Sequence, residues 1–272
     1  MAIMSNNIAE KKYKKLSIQL TLNGLSFYSL DTLNNIPSAF TTIPIDVNQG
    51  ISFEEQVENI FTAEFNAEDF DSVSLIHMNQ LFTAVPSSLF DKQHINEYLK
   101  FSIKTLSIDQ FAYDIIENHS IHNVYIPFES INNIAKKHFN NVTYKHATSV
   151  LAKTLLDVSK NSYELQFYVH VQPTHFEIII THKGKLQLLN SFQYRTKEDF
   201  LYYILFVAEQ LKLNPETFKL NFLGDITPED ELFKITYKYI RHVELIEPNM
   251  ITNNDWNTNA IDYLKYFILL HS

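Results

Sequence analysis

The sequence predicts an α/β protein made of one unit used twice, each copy running strand, strand, strand, helix, strand. Three observations carry this. Residues 16–78 and 165–223 share that order of elements with little residue identity. Hydrophobic period switches between two and 3.6 at the expected places. A nine-residue apolar run, Phe200–Ala208, has polar flanks, so it is a buried helix; a membrane span needs about 18 apolar residues or more. In each copy a crossover helix should bring the fourth strand parallel to the first, with a right-handed connection.

In the first copy, Leu16, Ile18, Leu20 and Leu22 alternate with Ser17, Gln19 and Thr21, which predicts a half-buried strand over 16–22. Asn23-Gly24 is a hairpin signal that expects positive φ at both residues. Strands follow at 25–30 and 38–45. Ser52 and Glu55 cap a helix bearing Phe53, Val57, Ile60 and Phe61, and 71–78 is a strand. In the second copy, strands span 165–171, 176–181 and 185–194. Thr196 and Asp199 form a capping box for the apolar helix, which should be covered on most sides. Asn214-Pro215 stops it, and strand 217–223 closes at Gly224.

Between the copies, Pro86 and Leu89-Phe90 read as a connector and Asp91 as the cap of a helix through 101. A hairpin of 111–117 and 122–126 turns at Asn118-His119-Ser120. Then come a helix over 128–139, a short strand at 142–145 and a helix over 147–158. After Gly224, Thr227 is the expected N-cap of a helix to Tyr239, followed by a strand at 242–246. Asparagine-rich 249–259 reads as loop, and 260–270 as a closing helix with Ile261, Leu264, Phe267 and Ile268 buried. Residues 1–10 read as a polar, frayed lead-in.

Composition bounds the function. Apolar residues make up 45% of 272, enough for packed cores, and net charge is −9, which argues against nucleic-acid binding. The basic cluster Lys11-Lys12-Tyr13-Lys14-Lys15 reads as a solvated lead-in to the first strand. With no cysteine, thiolate chemistry and disulfides are excluded. No apolar segment follows Met1, so a cytoplasmic protein without membrane insertion is expected. No Walker, HExxH or Gly-x-Ser-x-Gly pattern occurs. Glu54-Glu55 and Glu229-Asp230-Glu231 sit in first helical turns, where they answer the dipole. His170, His175 and His182 come from neighbouring strands, and no carboxylate stands at a supporting spacing for zinc.

Lys15–Ile18 with Asn23–Phe27, Asn190-Ser191-Phe192, Glu198–Tyr203 and Leu223–Ile226 resemble a Bacteroidetes domain-of-unknown-function family with an actin-like ATPase fold. The resemblance covers nearly the whole chain. It implies two RNase H-like lobes, residues 1–146 and 147–272. By position in such a fold, nucleotide would meet Asn23, Gly24, Thr174, Gly224 and Asp225. Backbone N–H groups reach phosphate only where side chains are absent. Here the first turn puts Leu22 where an acid is usual. The second, Gln172-Pro173-Thr174-His175, has neither glycine nor acid, and the third has one glycine of the usual pair. The expected function is therefore a non-catalytic binding or scaffold protein, with no catalytic residue, metal or cofactor. It would work with a protein partner or a second copy. The competing expectation is a nucleotide-dependent ATPase or sugar-kinase-like enzyme using ATP and Mg.

Overall fold

The computed structural model describes residues 11–46, 50–100, 103–247 and 260–272; the side chains of 260–262 are not among those described. The expectations for residues 1–10, 249–259 and the side chain of Ile261 lie outside these. In chain order the elements are β1 (Lys14–Thr21), β2 (Gly24–Asp31), β3 (Ile36–Pro37), β4 (Thr41–Pro44), α1 (Phe53–Glu64), β5 (Ser72–His77), β6 (Phe82–Pro86), β7 (Ala112–Ile116), β8 (Ile121–Tyr125), α2 (Glu129–His138), β9 (Val142–His146) and α3 (Ala147–Ser159). They continue as β10 (Leu165–Val171), β11 (His175–His182), β12 (Lys185–Gln193), α4 (Lys197–Gln210), β13 (Lys219–Gly224), α5 (Glu231–Tyr239), β14 (His242–Leu245), α6 (Ala260–Lys265) and α7 (Phe267–Leu270).

The chain forms two compact units. One holds the residues up to His77 together with Phe128–Tyr144; the other holds Met78–Pro127 and everything from Lys145 on. The last boundary between the units lies between Tyr144 and Lys145, within β9, and segment 78–127, which lies within the first half of the sequence, groups with the second unit.

In the first unit the sheet order is β3-β2-β1-β5-β9, with β4 also on β2. β1 pairs antiparallel with β2 and parallel with β5, the arrangement that a crossover through α1 requires. Leu16, Ile18 and Leu20 of β1 meet Val57 and Phe61 of α1 and Ile131 and Ala135 of α2, all fully buried. Ser52 caps α1 by accepting from the Glu55 N–H at 3.1 Å. Leu22, expected inside the strand, is 56% exposed, because β1 ends at Thr21.

In the second unit the five-stranded order is β12-β11-β10-β13-β14, the same topology as the first sheet. β10 again pairs antiparallel with the next strand and parallel with β13. Phe167, Val169, Val171, Phe176, Ile178 and Ile180 pack against Phe200, Ile204 and Val207 of α4. The Thr196–Asp199 capping box is present. α4 is covered on most sides, as expected, while one face carrying Tyr202 (61% exposed) and Phe206 (42% exposed) meets solvent. On the opposite face of the sheet, Thr181 donates to Ser159 of α3 at 2.9 Å. A separate three-stranded sheet, β6-β8-β7, completes the unit. Its β6 corrects the reading of Pro86 as connector. Asp91 caps a 3-10 turn over Lys92–Glu97 in place of the longer helix expected there. Thr227 is not an N-cap: its N–H and hydroxyl donate to Asp230, and α5 begins at Glu231.

Candidate functional site

The strand ends where the resemblance places nucleotide are three turns, one in the first unit and two in the second. In the first unit Thr21 pairs with Gly24, so the turn residues are Leu22 and Asn23, and neither Asn23 nor Gly24 has positive φ. The turn spends its backbone internally. Asn23 N–H donates to Thr21 Oγ1 at 3.2 Å, and its carbonyl accepts from Ile45 N–H at 2.9 Å. Gly24 is required for packing, since a Cβ there would lie 2.7 Å from the Ile43 carbonyl oxygen. A two-residue hairpin turn with both residues left-handed is found at Lys183-Gly184, with φ of 50° and 67°.

In the second unit, the turn from β10 to β11 is tied down on both sides. Gln172 N–H donates to the His175 carbonyl at 2.9 Å. The Tyr194 hydroxyl donates to the Gln172 carbonyl at 2.7 Å, and Tyr194 N–H to that of Thr174 at 3.4 Å. Pro173 has no N–H to offer. Thr174 is exposed, with its hydroxyl 3.3 Å from His175 Nδ1.

Gly224 and Asp225 follow β13. Gly224 has φ of 94°, and a Cβ there would lie 2.2 Å from the Val171 carbonyl oxygen. That oxygen accepts from Asp225 N–H at 2.9 Å, so strands β10 and β13 touch at this point. The exposed Asp225 carboxylate lies 3.4 Å from Lys265 Nζ. Each of these glycines has a packing reason that needs no ligand.

Beneath the second turn lies a carboxylate that the sequence reading missed. Alternation puts His170, Glu177 and Ser191 in one row across β10, β11 and β12, on the face away from α4. His170 and Glu177 are each 1% exposed. His170 Nδ1 donates to Glu177 Oε2 at 2.7 Å. His175 Nε2 lies 3.2 Å from Oε1 without hydrogen-bond alignment, and the Ser191 hydroxyl donates to Oε1 at 3.4 Å. Burial opposes the charge on Glu177, but the contacts with His170 and His175 outweigh it and hold the carboxyl down at about 2. The His170–Glu177 pair has no opening to solvent. Its geometry orders the sheet; it does not present a base to a substrate. His182 stands at the far end of β11, roughly 17 Å from Glu177 at about 3.3 Å per residue. Among the described residues no three His, Asp or Glu are placed to share a metal ion.

A second buried polar group surrounds the start of α3. Asp114 accepts from His146 N–H at 2.7 Å and from the Tyr125 hydroxyl at 3.2 Å, and burial pushes its carboxyl up. Asn123 donates to Thr148 and Ser149. These bonds fasten the three-stranded sheet to α3.

The same unit contains a slot of about 450 Å³ with strands on both sides. β6 is the edge of the three-stranded sheet and β12 the edge of the five-stranded one, and no ladder joins them. Gln193 donates to Gln80 at 2.7 Å at one end. Ala84, Leu186 and Leu189 pack with Ile121 and with Ala152 and Leu156 of α3 on its floor.

A family model described as "Protein of unknown function (DUF3822)" matches residues 4–243. No curated protein matches the chain. Among solved structures, a Bacteroides thetaiotaomicron protein described as having an actin-like ATPase fold and unknown function aligns at TM-score 0.78. Identity is 21%, covering 89% of this chain and 93% of that one. The PilM–PilN type IV pilus biogenesis complex aligns at TM-score 0.58 and 10% identity, covering 94% and 96%. The cytoplasmic domain of EpsL, an inner membrane component of the type II secretion system of Vibrio cholerae, gives TM-score 0.50 and 12% identity, covering 95% and 96%. The fold is therefore the actin-like ATPase fold, as the sequence resemblance implied.

Proposed function

The chain belongs to the DUF3822 family, and from that premise we propose that it is a non-catalytic binding protein on an actin-like fold, acting through contacts with other proteins. The observation that carries the reading is the β10–β11 turn. Where a phosphate cradle needs free N–H groups, this turn has Pro173, a Gln172 N–H already bonded to His175, and an inaccessible His170–Glu177 pair below. The turn of Asn23 and Gly24 is likewise closed on itself. A structural neighbour that is itself a two-protein complex supports protein contact as the function. Among the described residues no helix is long and apolar enough to cross a membrane.

The competing reading, an ATPase or sugar-kinase-like enzyme, has the exposed Asp225 beside Gly224 in its favour. Thermal melting with and without millimolar Mg-ATP separates the two. A ligand at one hundred times its dissociation constant adds about 2.7 kcal/mol, roughly 5–10 °C for a chain of this size. The binding-protein reading expects no shift. A saturable shift with Mg-ATP would overturn it.

A further inference from the structure

We propose that the slot between β6 and β12 receives an extended, uncharged segment of a partner protein, which adds as a strand to the free edge of β12. This rests on the binding-protein reading above and narrows the partner to a strand-forming peptide. An edge strand carries a row of backbone N–H and C=O groups with no strand partner, which is a template for another chain. Here two such edges face each other across one slot. Gln80 meets Gln193 at one end, and Ala84, Leu186 and Leu189 pack in one cluster on the floor.

The usual edge defences sit at the ends of the slot. Pro86 closes β6, Lys185 opens β12, and the register of β12 slips near Gln187. Between them, Thr83, Ala84, Leu188, Leu189 and Asn190 carry neither charge nor proline. No residue lining the slot is charged, on a chain of net charge −9. A charged side chain entering it would lose water and find no counter-ion. The occupant is therefore uncharged, with apolar side chains directed at Ala84 and Leu189. A slot of this volume takes a short segment, so the contact is weak and transient.

The probe is a fluorescein-labelled peptide of alternating valine and threonine, titrated by anisotropy against the full chain. Controls carry proline or lysine in place of the central valine. Saturable binding in about the micromolar range is expected, at least about tenfold weaker for both controls. Ala84→Trp, which fills the slot, should weaken binding by about tenfold as well, while Ala84→Ser should not. In the unsubstituted protein, hydrogen exchange of amides 186–190 should slow when the peptide is added. Lack of saturation at millimolar peptide, equal affinity for the proline control, or protection at another sheet edge instead would each overturn the proposal. Concentration-dependent self-association blocked by Ala84→Trp would assign the slot to a second copy and overturn it too. A melting shift with Mg-ATP would sink the binding-protein reading without touching this titration, so the two failures are distinguishable.

Discussion

Glu177→Gln removes a buried charge while keeping its shape. In the native protein the bond from His170 is charge-assisted at 2.7 Å. Such bonds contribute about 1.5–3 kcal/mol against about 0.5–1.5 for a neutral one, so the variant should lose about 1–2 kcal/mol at pH 7. The sign of the pH dependence follows from the direction of the shift. The folded carboxyl lies at about 2, below its ordinary 4.5. A depressed carboxylate stabilises the fold fully above the ordinary value, and that stabilisation is lost as pH falls toward 2. At 1.36 kcal/mol per pH unit the difference amounts to about 3 kcal/mol in the acid limb. The variant has no such limb at this position. Urea unfolding followed by far-UV circular dichroism at pH 7, 5 and 3 should show the wild type ahead at pH 7 and the gap closing between pH 4.5 and pH 3. A gap that stays constant from neutral to acid would mean that the charge of Glu177 does not hold the row together. A variant as stable as wild type at pH 7 would refute the pairing itself.

Gly224→Ala should cost more than about 3 kcal/mol, because its methyl would sit against the Val171 carbonyl in a left-handed backbone. Gly50→Ala, also left-handed but with nothing within 4 Å, should cost only about 1 kcal/mol; equal losses in melting temperature would contradict the contact. Gly224→Val, the substitution one would choose to block a nucleotide, therefore reports on folding. Thr196→Ala should lower stability by about 1 kcal/mol through loss of the capping box, and no change in the melting midpoint would contradict that cap.

The duplicated strand order was legible because both copies combine strict alternation with capped helices. Leu16, Ile18 and Leu20 mark one strand, and Thr196 and Asp199 start one helix. What escaped depends on partners distant in sequence. Strand Phe82–Pro86 is short and ends in proline, and pairing with Ile121–Tyr125 makes it a strand. Glu177 stood alone in an apolar run, and only the register of β10 against β11 brings His170 opposite it. In α4 the pattern showed apolar residues on every side, but packing left Tyr202 and Phe206 in water. For the nucleotide positions, residue types already spoke against a cradle; the closure of each turn by its own hydrogen bonds was visible only in the fold.

The first unit is interrupted in the chain by segment Met78–Pro127, and this bears on its synthesis. During translation, β1 and β5 leave the ribosome well before α2 and β9, which complete the same unit. At about 5–20 residues per second the nascent sheet waits several seconds with that face and edge uncovered. The order of emergence leaves that face and edge uncovered until Tyr144 is out.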